Sequence, residues 1–528
     1  MATIVCRKVS FAYDGAARNI FEDLDLLVDT GWRTALTGRN GRGKTTLLRL
    51  IHGKLLPDRG GLERPVETRR FPVSVTDPAV SALEAAKDAA GPFRRWEREM
   101  SRLLDAGHDE PALERYGALQ SRFQEAGGYS IDADLEGELD ALDIGPRLRR
   151  RRFDSLSGGE QTRCLLAGLF ARQSGVPLID EPTNHLDRSA RERLAGYLRG
   201  KPGFLMVSHD RAFLDACVDH VIALNQDTVE THRCSFSTWR TQFLERLARQ
   251  ERENAGIRKE IGRLEGMARQ RRGWADKRNS EQGASNDRRA ARVVKRAIVA
   301  ETRAGKAVEA RRQTLVDTER SYRLKLSTRV APPGRRLVIA DNLVVVRDEP
   351  LFAPVSFQVR PGDRIAVVGP NGCGKTSLFE LIAGEPHQRL GTFSCPTRLG
   401  IDRVRQQPRW TTGLLSDRLA GEGIDQTRFR QVMAALGVRG DTLDRPIESM
   451  SPGQQKKVEL AGSFVTSTDL LLWDEPLNFL DIDAREAVED VILRDSPTLV
   501  FVEHDAAFVD RVATQVVELQ PPRHGSLP

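Results

Sequence analysis

The 528-residue sequence has no apolar run approaching the roughly 18 residues of a membrane span, which speaks against an embedded protein. Its six cysteines (Cys6, Cys164, Cys217, Cys234, Cys373 and Cys395) are scattered and form no Cys-x-x-Cys pair. That spacing argues against a zinc site or a disulfide frame and for a reducing compartment. The opening "MATIVCRKVS" has no apolar signal region behind its basic residues, so a cytoplasmic location is expected. What the sequence does contain is 39% hydrophobic residues over a length that suits two or three domains.

Charge is unevenly placed. The net charge is +7, yet residues 245–326 alone hold 23 Lys/Arg against 12 Asp/Glu, a local excess of +11 that leaves −4 for the rest. A single cationic segment points to an acidic partner at that segment and not to a generally adhesive surface.

The chain repeats itself. "GRNGRGKTT" (38–46) and "GPNGCGKTS" (369–377) both fit G-x-x-x-x-G-K-[ST], each after a strand-like run and before a helical one. Such a loop turns backbone N–H groups around phosphates at a helix N-terminus. The candidate ATP-binding residues are Gly38, Arg39, Asn40, Gly41, Arg42, Gly43, Lys44, Thr45 and Thr46, with Gly369, Pro370, Asn371, Gly372, Cys373, Gly374, Lys375, Thr376 and Ser377. Lys44 and Lys375 would reach the β- and γ-phosphates, and Thr45 and Thr376 would hold Mg2+. Further matches follow: "LSGGEQ" (156–161) with "MSPGQQ" (450–455), "LIDEPTNHLD" (178–187) with "LWDEPLNFLD" (472–481), and "VSHD" (207–210) with "VEHD" (502–505).

Lys44 and Lys375 are 331 residues apart, whereas Ser157/Ser451 and Asp180/Asp474 are each 294 apart, so the first copy carries 37 extra residues. They fall in the charged helical stretch 93–129, read as an arm of about 91–130 that is either a surface elaboration or a docking element.

These series resemble the nucleotide-binding domains of the ABC ATPase superfamily. The resemblance implies a head-to-tail pair within one chain, and a monomer is expected. Signature residues Ser451, Pro452, Gly453, Gln454 and Gln455 would close over nucleotide at Lys44, and Ser157, Gly158, Gly159, Glu160 and Gln161 over nucleotide at Lys375. Asp180 and Asp474 would coordinate Mg2+, Glu181 and Glu475 would orient or deprotonate water, and His209 and His504 would sense the γ-phosphate.

The two copies depart from this pattern unequally. Pro452 replaces a signature glycine, a substitution tolerated at a first helical position. Tyr13 is placed to stack on adenine in the first copy, and Arg347 stands at the matching place in the second. Gln406 or Gln407 could contact Mg2+ in the second copy, while "VETRRFPVSVTDPAV" of the first has no glutamine. Two unequal sites are expected.

Between the copies, apolar or small residues from Phe243 to Ala268 recur by threes and fours, which predicts an amphipathic helix over about 240–268. Val294, Ile298, Val308 and Leu315 suggest a returning one, with "RRGWADKRNSEQGASND" (271–287) as the turn region. Residues 269–296 carry ten Lys/Arg and three Asp/Glu. The candidate RNA-contacting residues there are Arg269, Arg271, Arg272, Trp274, Lys277, Arg278, Arg288, Arg289, Arg292, Lys295 and Arg296. The architecture expected is α/β: two P-loop ABC-type domains in tandem (1–240 and 336–528) joined by a basic helical hairpin (241–335).

Two such domains, a first-copy arm and a long basic linker together resemble the ABC-F proteins, and "GW…DK…DRRAARVVKRA" (273–297) is similar to the antibiotic-resistance branch. The resemblance implies a ribosome-associated ATPase whose linker approaches rRNA and the P-site tRNA and which displaces drugs from the peptidyl-transferase centre or exit tunnel. Two alternatives stay open: a housekeeping translation factor of the same build, and, against the missing first glutamine and the basic linker, the ATPase subunit of an exporter with membrane partners.

Overall fold

The computed structural model describes residues 2–15, 19–105, 110–172, 175–184, 186–225, 228–281, 324–327, 334–438 and 443–522, with residues 268 and 271–281 described by their backbone. The chain divides into two compact units, Met1–Phe236 with Tyr322–Pro528, and Ser237–Ser321.

The larger unit holds both copies, each built on a mostly parallel sheet. In the first copy the strands run in the order Thr68–Phe71, Val176–Asp180, Phe204–Val207, Arg33–Thr37, His220–Leu224 and Val229–His232. In the second the order is Ile401–Val404, Leu470–Asp474, Leu499–Val502, Arg364–Val368 and Gln515–Glu518. The central strands read as continuous apolar runs because helices cover both faces. All five residues of Leu470–Asp474 are buried, as are the first four of Val176–Asp180. An antiparallel three-stranded sheet accompanies each, centred on Thr3–Phe11 and on Val338–Val346. The strand order brings the carboxyl ends of the Asp180 and Asp474 strands beside those of their neighbours, where ligands of open α/β sheets bind.

The extra residues of the first copy form two helices, Phe93–Asp105 and Glu110–Glu125. Phe93 anchors them: it is fully buried and meets Phe123 edge-on at 6.0 Å.

All but the first residue of a helix from Phe236 to Glu281, about 69 Å long at 1.5 Å per residue, belongs to the smaller unit. The helix continues through residues 271–281, which the sequence reading gave to a turn. Gly273 weakens a helix by only about 1 kcal/mol relative to alanine, and the Arg, Ala, Asp and Lys around it tolerate or favour helix. Arg269 is exposed and lies 4.0 Å from Glu265, one turn earlier. The side chains of Arg271, Arg272, Trp274, Lys277 and Arg278, and the whole of Arg288, Arg289, Arg292, Lys295 and Arg296, lie outside the described residues. Leu324 and Leu326, assigned to the linker from sequence, are buried in the core of the second copy beside Phe464, Val491 and Ile492. The two leucines turn inward on either side of the exposed Lys325, and Ser327 N–H donates to the Phe464 carbonyl at 2.9 Å.

Candidate nucleotide sites

Each phosphate-binding loop ends at a glycine in the left-handed region that caps the following helix, Gly43 (φ 82°) before Lys44–His52 and Gly374 (φ 90°) before Lys375–Ile382. A side chain cannot enter either position. A Cβ on Gly43 would meet Ile20 at 2.4 Å, and one on Gly374 would meet Leu351 at 2.8 Å. Lys44 Nζ donates to the Gly38 carbonyl at 2.6 Å, and Lys375 Nζ to those of Gly369 and Pro370 at 2.8 Å, so both ammonium groups sit inside their own loops. Burial lowers the Lys44 pKa, against the raising charges of Asp481, Glu181, Asp180 and Asp483. Burial also pushes the Cys373 thiol up.

The signature segments are helix starts. Ser157 caps Gly158–Ala171 in a capping box: Glu160 N–H donates to its hydroxyl, and its own N–H donates to the Glu160 carboxylate at 2.8 Å. Ser451 and Gln454 repeat the arrangement at 2.9 and 3.3 Å, with Pro452 at the first helical position, where no N–H is needed. Gln161 and Gln455 turn back instead, donating to the Phe153 and Ile447 carbonyls at 3.0 Å.

The copies meet head to tail. Asn40 N–H of the first loop donates to Asp481 at 2.8 Å, and its side-chain amide donates to the Phe479 carbonyl at 3.2 Å. Arg39 lies 3.5 Å from Asp483. In the reverse sense, Asp187 accepts from the Asn371 backbone. Ser157 and Gly158 share one cleft of about 510 Å³ with Lys375, Thr376, Gln406, Asp474, Glu475 and His504. Arg347 also lines it and lies 3.5 Å from Glu380. Tyr13 in the first copy is partly exposed, with its hydroxyl 3.3 Å from that of Thr46.

Glu181 and Glu475 follow their strands in the left-handed region, at φ 52° and 49°, a strained conformation that clusters at functional sites. Each backbone N–H is held by the neighbouring strand: Glu181 donates to Val207 at 2.8 Å and Glu475 to Val502 at 3.0 Å. His209 and His504 stand 3.4 and 3.5 Å from the respective carboxylates. The electrostatics differ. Burial, with Asp180 beside it, raises the Glu181 pKa against the pull of Arg485 and Lys44. At Glu475 burial also raises the pKa, but the His504 ring, the Asn478 amide at 2.6 Å and the Lys375 charge hold it down to about 2. Burial, then Lys44 and Arg485, lower the His209 pKa well below the usual range.

For a divalent cation the second site offers a fitting donor set: the Thr376 hydroxyl donates to Asp474 at 3.2 Å, and Gln406 lines the cleft. At the first site Asp180 instead faces a guanidinium, Arg70 Nη2 at 3.3 Å, which does not suit a second cation on that carboxylate. Sequence reasoning missed Arg70, the crossing contacts of Asp187 and Asp481, and Asn478. The Asp187/Asp481 pair carried a signal, since it recurs at the same 294-residue offset as Asp180 and Asp474.

The ABC transporter family model matches residues 21–184 and 352–478. The chain is 28% identical over 523 residues to the energy-dependent translational throttle protein EttA of Mycobacterium tuberculosis, covering 94% of this chain and 88% of that one. It is likewise 28% identical over 546 residues to the tylosin resistance ATP-binding protein TlrC of Streptomyces fradiae, covering 95% of each. Among solved structures it is similar in fold to the archaeal ribosome recycling factor aABCE1 in complex with stalk protein aP1 (TM-score 0.59, 19% identity, 98% of this chain and 90% of that one). No described helix is long and apolar enough to cross a membrane. With both loops, both signatures and the crossing contacts in one chain, the protein is an ATP-hydrolysing member of the ABC transporter family, and it resembles the ABC-F proteins of that family, resistance members included.

Proposed function

We propose that the protein binds the ribosome in the cytoplasm and protects it from drugs of the peptidyl-transferase centre and exit tunnel, using its basic interdomain segment near rRNA and the P-site tRNA. The observation that carries the proposal is the pairing of a head-to-tail ATPase with a segment, 269–296, that holds ten Lys/Arg against three Asp/Glu. A helix of about 69 Å gives part of that charge a long, regular support. Arginines supply forked phosphate contacts, and Trp274 a stacking face.

In this reading Lys375 and the N-terminus of its helix hold the phosphates, while Ser157 and Gly158 close the cleft from the other copy. Thr376, Asp474 and Gln406 would hold Mg2+, which would neutralise phosphate charge when bound. Glu475, ionised and aimed by Asn478 and His504, orients the attacking water. Reopening after hydrolysis releases the ribosome.

The test is the Glu181→Gln, Glu475→Gln double variant with ATP. It should co-sediment with ribosomes, and the wild-type gene should raise the inhibitory concentration of at least one peptidyl-transferase drug in a sensitive strain. Absence of co-sedimentation overturns the proposal. Co-sedimentation without any drug phenotype supports the second reading, a housekeeping factor on stalled or initiating ribosomes, which the similarity to the throttle protein favours. Co-purification with a membrane protein and not with rRNA would support an exporter subunit.

A further inference from the structure

We infer that Arg70 stands in for the divalent cation at the first nucleotide site, so that this site takes its triphosphate with little or no bound metal. The inference rests on reading both loops as nucleotide sites and concerns how the first differs.

Arg70 and Arg403 are structural equivalents. Each lies on the strand next to the one that ends in Asp180 or Asp474, in the same register: Arg70 is opposite Leu178, and Arg403 is opposite Leu472. Yet the two guanidiniums have different partners. Arg403 pairs with Glu385 at 2.9 Å, and Asp474 accepts from the Thr376 hydroxyl at 3.2 Å, with the Arg403 and Lys456 charges acting on it without an ion pair. Arg70 pairs with Asp180 itself at 3.3 Å, with both side chains largely buried.

The two copies differ just past each loop helix. Gly53 and Gly384 both adopt a positive φ there, and the residue that follows is Lys54 in the first copy and Glu385 in the second. Glu385 captures Arg403. Lys54 offers Arg70 no acceptor, and the carboxylate it meets is Asp180; both cations lie close enough to His52 to lower its pKa. A charge reversal at one position therefore delivers a permanent positive charge to the carboxylate on which a metal would sit. The loop after the strand agrees: the second copy presents Gln406 to its cleft, whereas Pro72 and Val73 follow the first copy's strand. A carboxylate already neutralised by a guanidinium binds a divalent cation less well, because the two positive charges compete for the same oxygens. The guanidinium still offsets phosphate charge but cannot act as a Lewis acid on the transferred group. The first site then retains nucleotide and the second turns it over.

The test counts metal and nucleotide separately on the full-length chain, with a non-hydrolysable ATP analogue and Mn2+. Wild type should bind two nucleotides but one tightly held Mn2+ by electron paramagnetic resonance. Asp474→Asn should abolish that signal and Asp180→Asn should leave it. Arg70→Gln, and independently Lys54→Glu, which gives Arg70 an alternative partner, should each raise the count to two. Two Mn2+ in wild type, one lost with each aspartate, would overturn the inference while leaving both nucleotide sites intact. A chain that binds one nucleotide even with metal present would overturn the reading of the first loop as a nucleotide site, and the inference with it.

Discussion

Arg211→Ala should loosen the closed pairing of the two copies without unfolding either. Arg211 belongs to the first copy and reaches into the second, where it pairs with Glu489 through both terminal nitrogens and lies 3.6 Å from Glu486. Glu489 is completely buried, and its other partner, Arg511 at 2.7 Å, comes from its own copy. Burial pushes the Glu489 carboxyl up, and the two guanidiniums pull it back. Stripping a buried charge of its partner costs about 3–5 kcal/mol. Here Arg511 remains, so about half of that, ~2 kcal/mol, is the reasonable share of the crossing contact. Because the contact joins the copies, the loss falls on the closed arrangement and not on the fold of either copy. About 2 kcal/mol is roughly a 30-fold change in the closed-to-open ratio. The assay is the ATP concentration that half-closes the pair, read by energy transfer between dyes on the two copies of the Glu181→Gln, Glu475→Gln background. The half-closing concentration should rise by about an order of magnitude or more. An unchanged value in a folded Arg211→Ala chain refutes the argument.

Two further outcomes follow from packing and backbone. Trp473 is fully buried, stacks on Phe464 at 5.8 Å and donates its ring N–H to Ser463 at 2.9 Å, so Trp473→Ala should cost about 3–5 kcal/mol in urea unfolding followed by circular dichroism. Gly374→Ala combines φ 90° with a contact of 2.8 Å to Leu351, so it should displace the second loop and remove one of two bound nucleotides, measured by equilibrium dialysis. A full complement of nucleotide in that variant would contradict the described loop geometry.

The parts of this molecule legible from sequence are those whose chemistry is set within about ten residues. The two loops, their helices, the capping serines and the strand-end acids are all short motifs, and their repetition at fixed offsets gave the tandem α/β architecture. The pairing of copies came only through family resemblance, and contacts such as Asn40 with Asp481 span more than four hundred positions. The partner chosen by Arg70 was hidden for a different reason. The same residue type sits at the same strand position in both copies, and only the competing charge at Lys54 or Glu385 separates them. The long helix ran past its expected end because Gly273 and Asn279 mark a turn statistically but cost too little to enforce one. Leu324 and Leu326 were missed because two apolar residues after a charged run make no periodic signal.

The helix Ile482–Asp495 carries a consequence of its own. At its start Asp481 holds Asn40; midway Glu489 holds Arg211; at its end Asp495 accepts the Leu326 N–H at 3.0 Å, and Arg494 grips the Leu324 carbonyl at 2.7 Å. One stiff rod of 14 residues thus connects the seam where nucleotide is enclosed to the point at which the connecting segment re-enters its second domain. Any tilt of that rod as the seam opens or shuts would be felt at residues 324–326, the short stitch pinned to its far end.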